Sequence, residues 1–195
     1  ATLGYSRWRW VRFATNEKAE TLIACHHALF EALGGVPREI LYDNAKTIVH
    51  TRNAYAEGHH RWHPSMLDLA KFYGFIPRLC RPYRAQTKGK AERFHRYLRG
   101  NFYVPLVSRL KQAGLSLDVD TANAEVSKWL RDVANQRIHP VTGTAPATLL
   151  EQRERVSLRQ LPVFAKAAPA PAIQCGLFLI SNPCCSIRCQ STNSC

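Results

Sequence analysis

"GGVPREILYDN", residues 34 to 44, sets the frame for the rest of the chain. Upstream of it, Leu22, Ile23, Leu29, Phe30 and Leu33 recur at helical spacing, and Thr15 or Asn16 can cap the helix they predict. The glycine pair supplies the stop. The stretch after the glycines, "VPREILY", reads as a short buried strand whose end is reached at Asp43. Open α/β sheets gather ligand sites at the carboxyl ends of their strands, which makes Asp43 a candidate functional residue. An Asp-Asn pair is also a common turn former, and that plainer reading stands beside the first.

Working outward, "LGYSRWRWVRF", residues 3 to 13, alternates aromatic and arginine side chains, a pattern that suits strands with one buried face. Beyond Asp43, the polar segment 50 to 63 predicts a loop. A helix near Pro64 to Tyr73 is ended by Gly74, and "FIPRLC" predicts a brief strand. "PYRAQTKG" is a turn or loop, followed by a helix from 88 to about 102. Another spans roughly 121 to 136, with Val126, Trp129, Leu130 and Val133 on one side and Asp118 or Asp120 as caps. A turn and a short helix near Pro146 close the body. Strands come early and helices alternate with them, so the class is α/β or mixed, without internal repeats.

The chain has 195 residues, a formal charge of +13 and a pI near 9.8, a balance that attracts polyanions and above all nucleic acid. No apolar run is long enough to span a membrane, and no basic amphipathic helix with a large Trp/Leu face favours a membrane surface. Cys25 and Cys80 lie in apolar-patterned segments, as buried thiols do in a reducing compartment. The other five cysteines crowd the region after an Ala/Pro linker, "AKAAPAPA", without the paired spacing of a zinc site. Residues 166–195 therefore read as a linker and a tail not shaped to fold, and 1–165 as one domain. His59, His60 and His63 suit a polar loop better than a zinc site, and Cys25 a core thiol better than a nucleophile. Tyr5, Trp8 and Trp10 suit packing beside the sheet better than stacking on bases.

"RPYRAQTKGKAERFHRYLRG", residues 81 to 100, holds one acid, Glu92, among seven Arg and Lys residues and His95. At about 100° per residue, Ala91, Phe94, Leu98 and Phe102 form an apolar stripe with Glu92 on its flank. Lys88, His95, Arg96 and Arg99 share the side of Glu92. The acid thus sits between core and basic surface, where a carboxylate could meet a divalent metal. Ordinary pairing with Lys88 and Arg96 is the alternative.

Three stretches in this order, residues 3 to 49, "PYRAQTKGKAERFHRYLRGNF" and "NQRIHPVTGTAPATLL", closely resemble the integrase catalytic core of bacterial insertion-sequence transposases. The nearest type is the one encoded beside an AAA+ ATPase helper. The resemblance covers about residues 1 to 165. It implies a ribonuclease-H-like α/β fold with a mixed five-stranded sheet flanked by helices. It further implies a DDE triad holding two Mg²⁺ or Mn²⁺ ions about 3.5–4 Å apart. The family nicks element ends and joins the freed 3′-hydroxyl to target DNA. Asp43 matches the second acid and Glu92 the third, as catalytic residues and metal ligands. Lys88 and Lys90 match positions that meet phosphates near the cut, and Arg81, Arg84, Arg93, Arg96 and Arg99 extend that track. The first Asp and its strand lie upstream of "LGYSR", so the expectation is an N-terminally truncated core, inactive or nearly so. The sheet is then expected to show a gap or an improvised pairing. The alternative is a non-catalytic DNA-binding remnant that interferes with a full-length transposase. Implied partners are element-end and target DNA, further transposase copies and the ATPase helper, in the cytoplasm at the nucleoid.

Overall fold

The computed structural model describes residues 1–43, 45–80, 85–163 and 186–188, with backbone alone for 85–91 and 186–188. At its centre β2 (Glu39–Tyr42) runs parallel to β5 (Ile76–Leu79), with Glu39 opposite Ile76 and Tyr42 opposite Leu79. β1 (Thr2–Leu3) joins them through β6 (Ser186–Arg188), which is parallel to β1 and antiparallel to β2; Ile187 stands opposite both Leu3 and Ile40. The order is β1-β6-β2-β5, a mixed sheet flanked by helices, and the α/β class is the one the sequence predicts. Among the described residues the sheet has four strands. Its β6 comes from the cysteine-rich stretch, and it fills the place between β1 and β2.

α1 (Ala19–Leu33) forms where the apolar spacing places it. Asn16 braces the helix from outside: its Oδ1 accepts the Lys18 N–H at 3.0 Å and the Thr21 hydroxyl at 2.7 Å. Gly34 ends the helix at φ 70°, a left-handed conformation that costs glycine little. Gly35 permits a close approach, since a Cβ there would meet Leu158 Cβ at 2.8 Å and the Arg159 carbonyl at 2.9 Å. α2 (Pro64–Tyr73) begins at its proline and ends at Gly74, as predicted.

Two expectations need correction. Residues 3 to 13 do not run as strands beyond Leu3. Arg7 takes a left-handed φ of 64°, which breaks the extended run, and the chain folds back so that the Leu3 N–H donates to the Trp8 carbonyl at 2.8 Å. Trp8 and Trp10 still pack against the sheet core. The segment 50 to 63 is a hairpin rather than a loop: β3 (Val49–Ala56) pairs antiparallel with β4 (His59–Trp62) around Gly58 at φ 82°. Only Val49 of β3 is buried, so the strands lack the apolar alternation that would have marked them.

The second half is helical. α3 (Ala85–Leu98) passes through a π-helical turn, 99–103, into α4 (Val104–Gln112). That turn lets the Val104 N–H reach the Arg99 carbonyl just before Pro105, which has no N–H to give. α5 (Val119–Trp129) is capped by Asp118, whose carboxylate accepts the Thr121 N–H at 2.8 Å and its hydroxyl at 2.7 Å. A π-helical turn over 130–134 then shifts the buried face: Ala134 is buried and Val133, expected in the core, is 47% exposed. The short helix α6 (Pro146–Leu149) comes next.

Two cores result. One gathers Leu3, Leu29, Phe30, Leu33, Ile40, Tyr42, Met66, Leu69 and Tyr73 around the sheet; the other gathers Phe13, Phe94, Leu98, Phe102, Leu106, Ala122, Val126 and Leu130. Residues 9 to 13 tie them together through two asparagines that act as strand partners. Asn135 accepts the Arg9 N–H and donates to the Arg9 carbonyl, both at 2.9 Å. Asn123 does the same for Phe13, at 2.7 and 3.0 Å.

Candidate functional site

Asp43 comes directly after β2 and is half-buried, with its Oδ1 accepting the Ala45 N–H at 3.3 Å. Its position is fixed by the strand beneath it. The Cys80 N–H donates to the Tyr42 carbonyl at 2.8 Å, which carries the β2–β5 pairing to the residue before the acid. Arg52 from the hairpin donates to the Cys80 carbonyl at 2.7 Å. Below, Tyr42 is locked to α1: His26 Nε2 lies 2.7 Å from the tyrosine hydroxyl and Nδ1 lies 2.7 Å from the Leu22 carbonyl. Burial pushes His26 down to about 4, so its ring stays neutral at physiological pH, donating from Nδ1 to Leu22 and accepting from Tyr42.

Glu92 is exposed on α3. The apolar stripe beside it is as the sequence predicts, with Phe94 6%, Leu98 2% and Phe102 6% exposed. Arg93, Arg96 and Arg99 are exposed as well. Lys88 and Lys90 belong to the backbone of α3 while their side chains lie outside the described atoms, and Arg81 and Arg84 lie outside the described residues. Among the described residues the ion pairs are Arg78–Glu39, Arg131–Asp132 and Arg155–Glu151, so Glu92 is not neutralised by Arg96.

Because β2 and β5 are parallel and end together, Asp43 and Cys80, the residues that follow them, stand at the same end of the sheet. Carboxylate oxygens suit a hard cation such as Mg²⁺ or Mn²⁺. The donor chemistry of Asp43 and Glu92 therefore fits a divalent ion. Their number is short, since among the described residues no group of three or more His, Cys, Asp or Glu side chains is placed to hold a metal. His50 and His63 stack at 5.0 Å, again without a third ligand among the described residues.

The sequence reading missed the polar side chains that hold residues 9 to 13. Asn123 and Asn135 carry no periodic signal, because an asparagine that completes a distant backbone is indistinguishable from a surface one until the fold brings the two together.

Residues 1–85 match the family described as the Integrase core domain. A protein of Geobacillus stearothermophilus assigned to transposition of insertion sequence element IS5376 is 38% identical over 164 residues, 84% of this chain and 37% of the relative. The transposase for insertion sequence element IS21 of Pseudomonas aeruginosa is 37% identical over 136 residues, 70% of this chain and 32% of the relative. That for IS640 of Shigella sonnei is 37% identical over 136 residues, 70% of this chain and 40% of the relative. The fold and these likenesses define an integrase core. Within that class the chain belongs with the transposases of bacterial insertion sequences, of the IS21 kind. It spans between about a third and two-fifths of the length of these curated relatives.

Proposed function

We propose that residues 1–165 are the catalytic-core portion of a DDE transposase, which nicks the ends of its element and joins the freed 3′-hydroxyl to target DNA. The observation that carries this reading is Asp43, held at the end of β2 beside the end of β5, the strand that precedes the Glu92 helix in sequence. Asp43 and Glu92 would hold Mg²⁺ or Mn²⁺. When bound, such an ion lowers the pKa of an attacking hydroxyl and offsets charge on a leaving oxygen. The protein's own contribution is positioning. The strand end fixes Asp43, α3 sets Glu92 beside the core, and Lys88, Lys90, Arg81, Arg84, Arg93, Arg96 and Arg99 hold the phosphates of the strand to be cut. On this reading two carboxylates alone would hold the ion weakly, and turnover by this chain would be slight.

Manganese binding measured by electron paramagnetic resonance, without DNA, tests the ligand assignment. Weak binding that disappears in Asp43→Asn/Glu92→Gln is expected. Binding unchanged in that variant would place the metal elsewhere, and robust nicking of end DNA that survives both substitutions would sink the proposed active site.

The exposed Arg93, Arg96 and Arg99 favour a second reading, a DNA-binding remnant that occupies ends or mixes with full-length transposase. Salt-sensitive duplex binding that persists without the two acids supports it. Self-association, an ATPase helper and a nucleoid location in the cytoplasm belong to the same proposal. No helix of the described residues is long and apolar enough to cross a membrane.

A further inference from the structure

Two segments remote in sequence bring cations to the aromatic rings of a third. In the fold-back after β1, the Arg9 guanidinium carbon lies 4.8 Å from the centre of the Phe94 ring and 5.5 Å from that of Tyr97. Arg137, beyond the π-helical turn at the end of α5, lies 5.9 Å from the same Tyr97 ring. Asn135 clamps the Arg9 backbone, so the stack is set before any ligand arrives. Arg9 Nε is buried without a hydrogen-bond partner among the described residues. Burial first, and then the positive charges of Arg9, Arg7 and Arg93, hold His139 below the ordinary histidine range. Burial holds Arg9 below the ordinary arginine range; Tyr97 opposes that shift, and the Arg137 charge adds to it. None of the ion pairs among the described residues gives Arg9 or Arg137 a carboxylate.

Stacking on aromatic rings accounts for Arg9 as structural glue. It does not account for Arg7, and the exposed Arg137 sits only at the outer limit of such stacking, so both add like charge to a half-buried site where repulsion is poorly screened. Such a gathering costs folding energy unless an anion completes it. Stacked arginines suit phosphate particularly well, because the guanidinium is planar, weakly hydrated and already oriented.

We propose that Arg9 and Arg137, with Arg7 and His139 beside them, form a phosphodiester-binding surface for duplex DNA, additional to the track on the exposed face of α3. The proposal rests on the reading of the chain as a DNA-handling protein, and it adds residues from the fold-back and from the turn after α5. Phosphate contacts of this kind position a duplex without reading its bases.

The test is the affinity of the full chain for a fluorescent duplex of arbitrary sequence, followed by anisotropy through a salt series. Each phosphate contact contributes about 0.9 to the slope of log affinity against log salt. Arg7→Gln/Arg137→Gln is expected to flatten that slope by about 2 and to weaken low-salt binding at least about tenfold, with a Tm, measured without DNA, at or above that of the wild type. The charge-matched control Arg109→Gln/Lys128→Gln, at exposed positions outside the cluster, is expected to leave the slope near that of the wild type. Equal flattening in both double variants would reduce the effect to net charge and overturn the proposal. An unchanged slope in Arg7→Gln/Arg137→Gln would overturn it while DNA handling stands. Failure of the wild type to bind any duplex at low salt would overturn both. Should the double variant lose its fold, Arg137→Gln alone, at an exposed position, carries the test with an expected change of about one unit.

Discussion

The sheet half and the helical half of the molecule place their functional side chains by different means. Around the sheet, the core is assembled from short pieces far apart in sequence: Leu3, Phe30, Ile40, Tyr42 and Tyr73 come from β1, α1, β2 and α2. In the helical half, Phe94, Leu98, Phe102 and Leu106 succeed one another along a nearly continuous rod, and Ala122, Val126 and Leu130 along another. Asp43 owes its position to register, since a slip of one residue in β2 would turn its buried face outward. The bases of α3 owe theirs to rotation about a helix axis, which is more forgiving. Both long helical segments absorb a π-helical turn and keep a buried face, at the cost of moving Val133 to the surface. The two candidate acids are divided between these regimes, one at the end of a strand and one on a helix.

The largest expected effect tests whether the halves are separable. Phe30→Ala removes a fully buried ring from the sheet core and should cost about 3–5 kcal/mol. Hydrogen exchange should then accelerate in α1, α2 and β2 ahead of α5. Equal acceleration in α5 would erase the division. A smaller effect concerns their junction. Asn135→Ala leaves the Arg9 N–H and carbonyl without their partners and should cost about 1–3 kcal/mol, with faster exchange at the Arg9 amide. Unaltered exchange there would show that the clamp does not join the halves. The smallest effect belongs to Asp118→Ala, which deletes the cap of α5. NMR should show fraying confined to residues 119–121, with a slightly lower Tm and no change in the sheet half.

The same contrast governs what could be read from the sequence. α2 was legible to the residue, as was the stripe Phe94, Leu98 and Phe102, and the cap of α5 was narrowed to Asp118 or Asp120, because each is written in local spacing. The β3–β4 hairpin was not, because strands exposed on both faces carry no alternation. The pairing of β6 with β1 and β2 was not, because hydrogen bonds between distant backbones leave no mark on side-chain order. For the candidate site, the strand end at Asp43 was legible from "EILYD". The Tyr42–His26 lock beneath it was not, since that bond depends on how α1 lies over the sheet.

β6 has a consequence for biogenesis. The segment that sits between β1 and β2 leaves the ribosome long after either of them. Until it emerges, two backbone edges face each other with no chain to bridge them, and nascent molecules on one polysome present such edges to one another. Translation speed and dilution, as well as the final contacts, then bear on how much of the chain reaches its folded form.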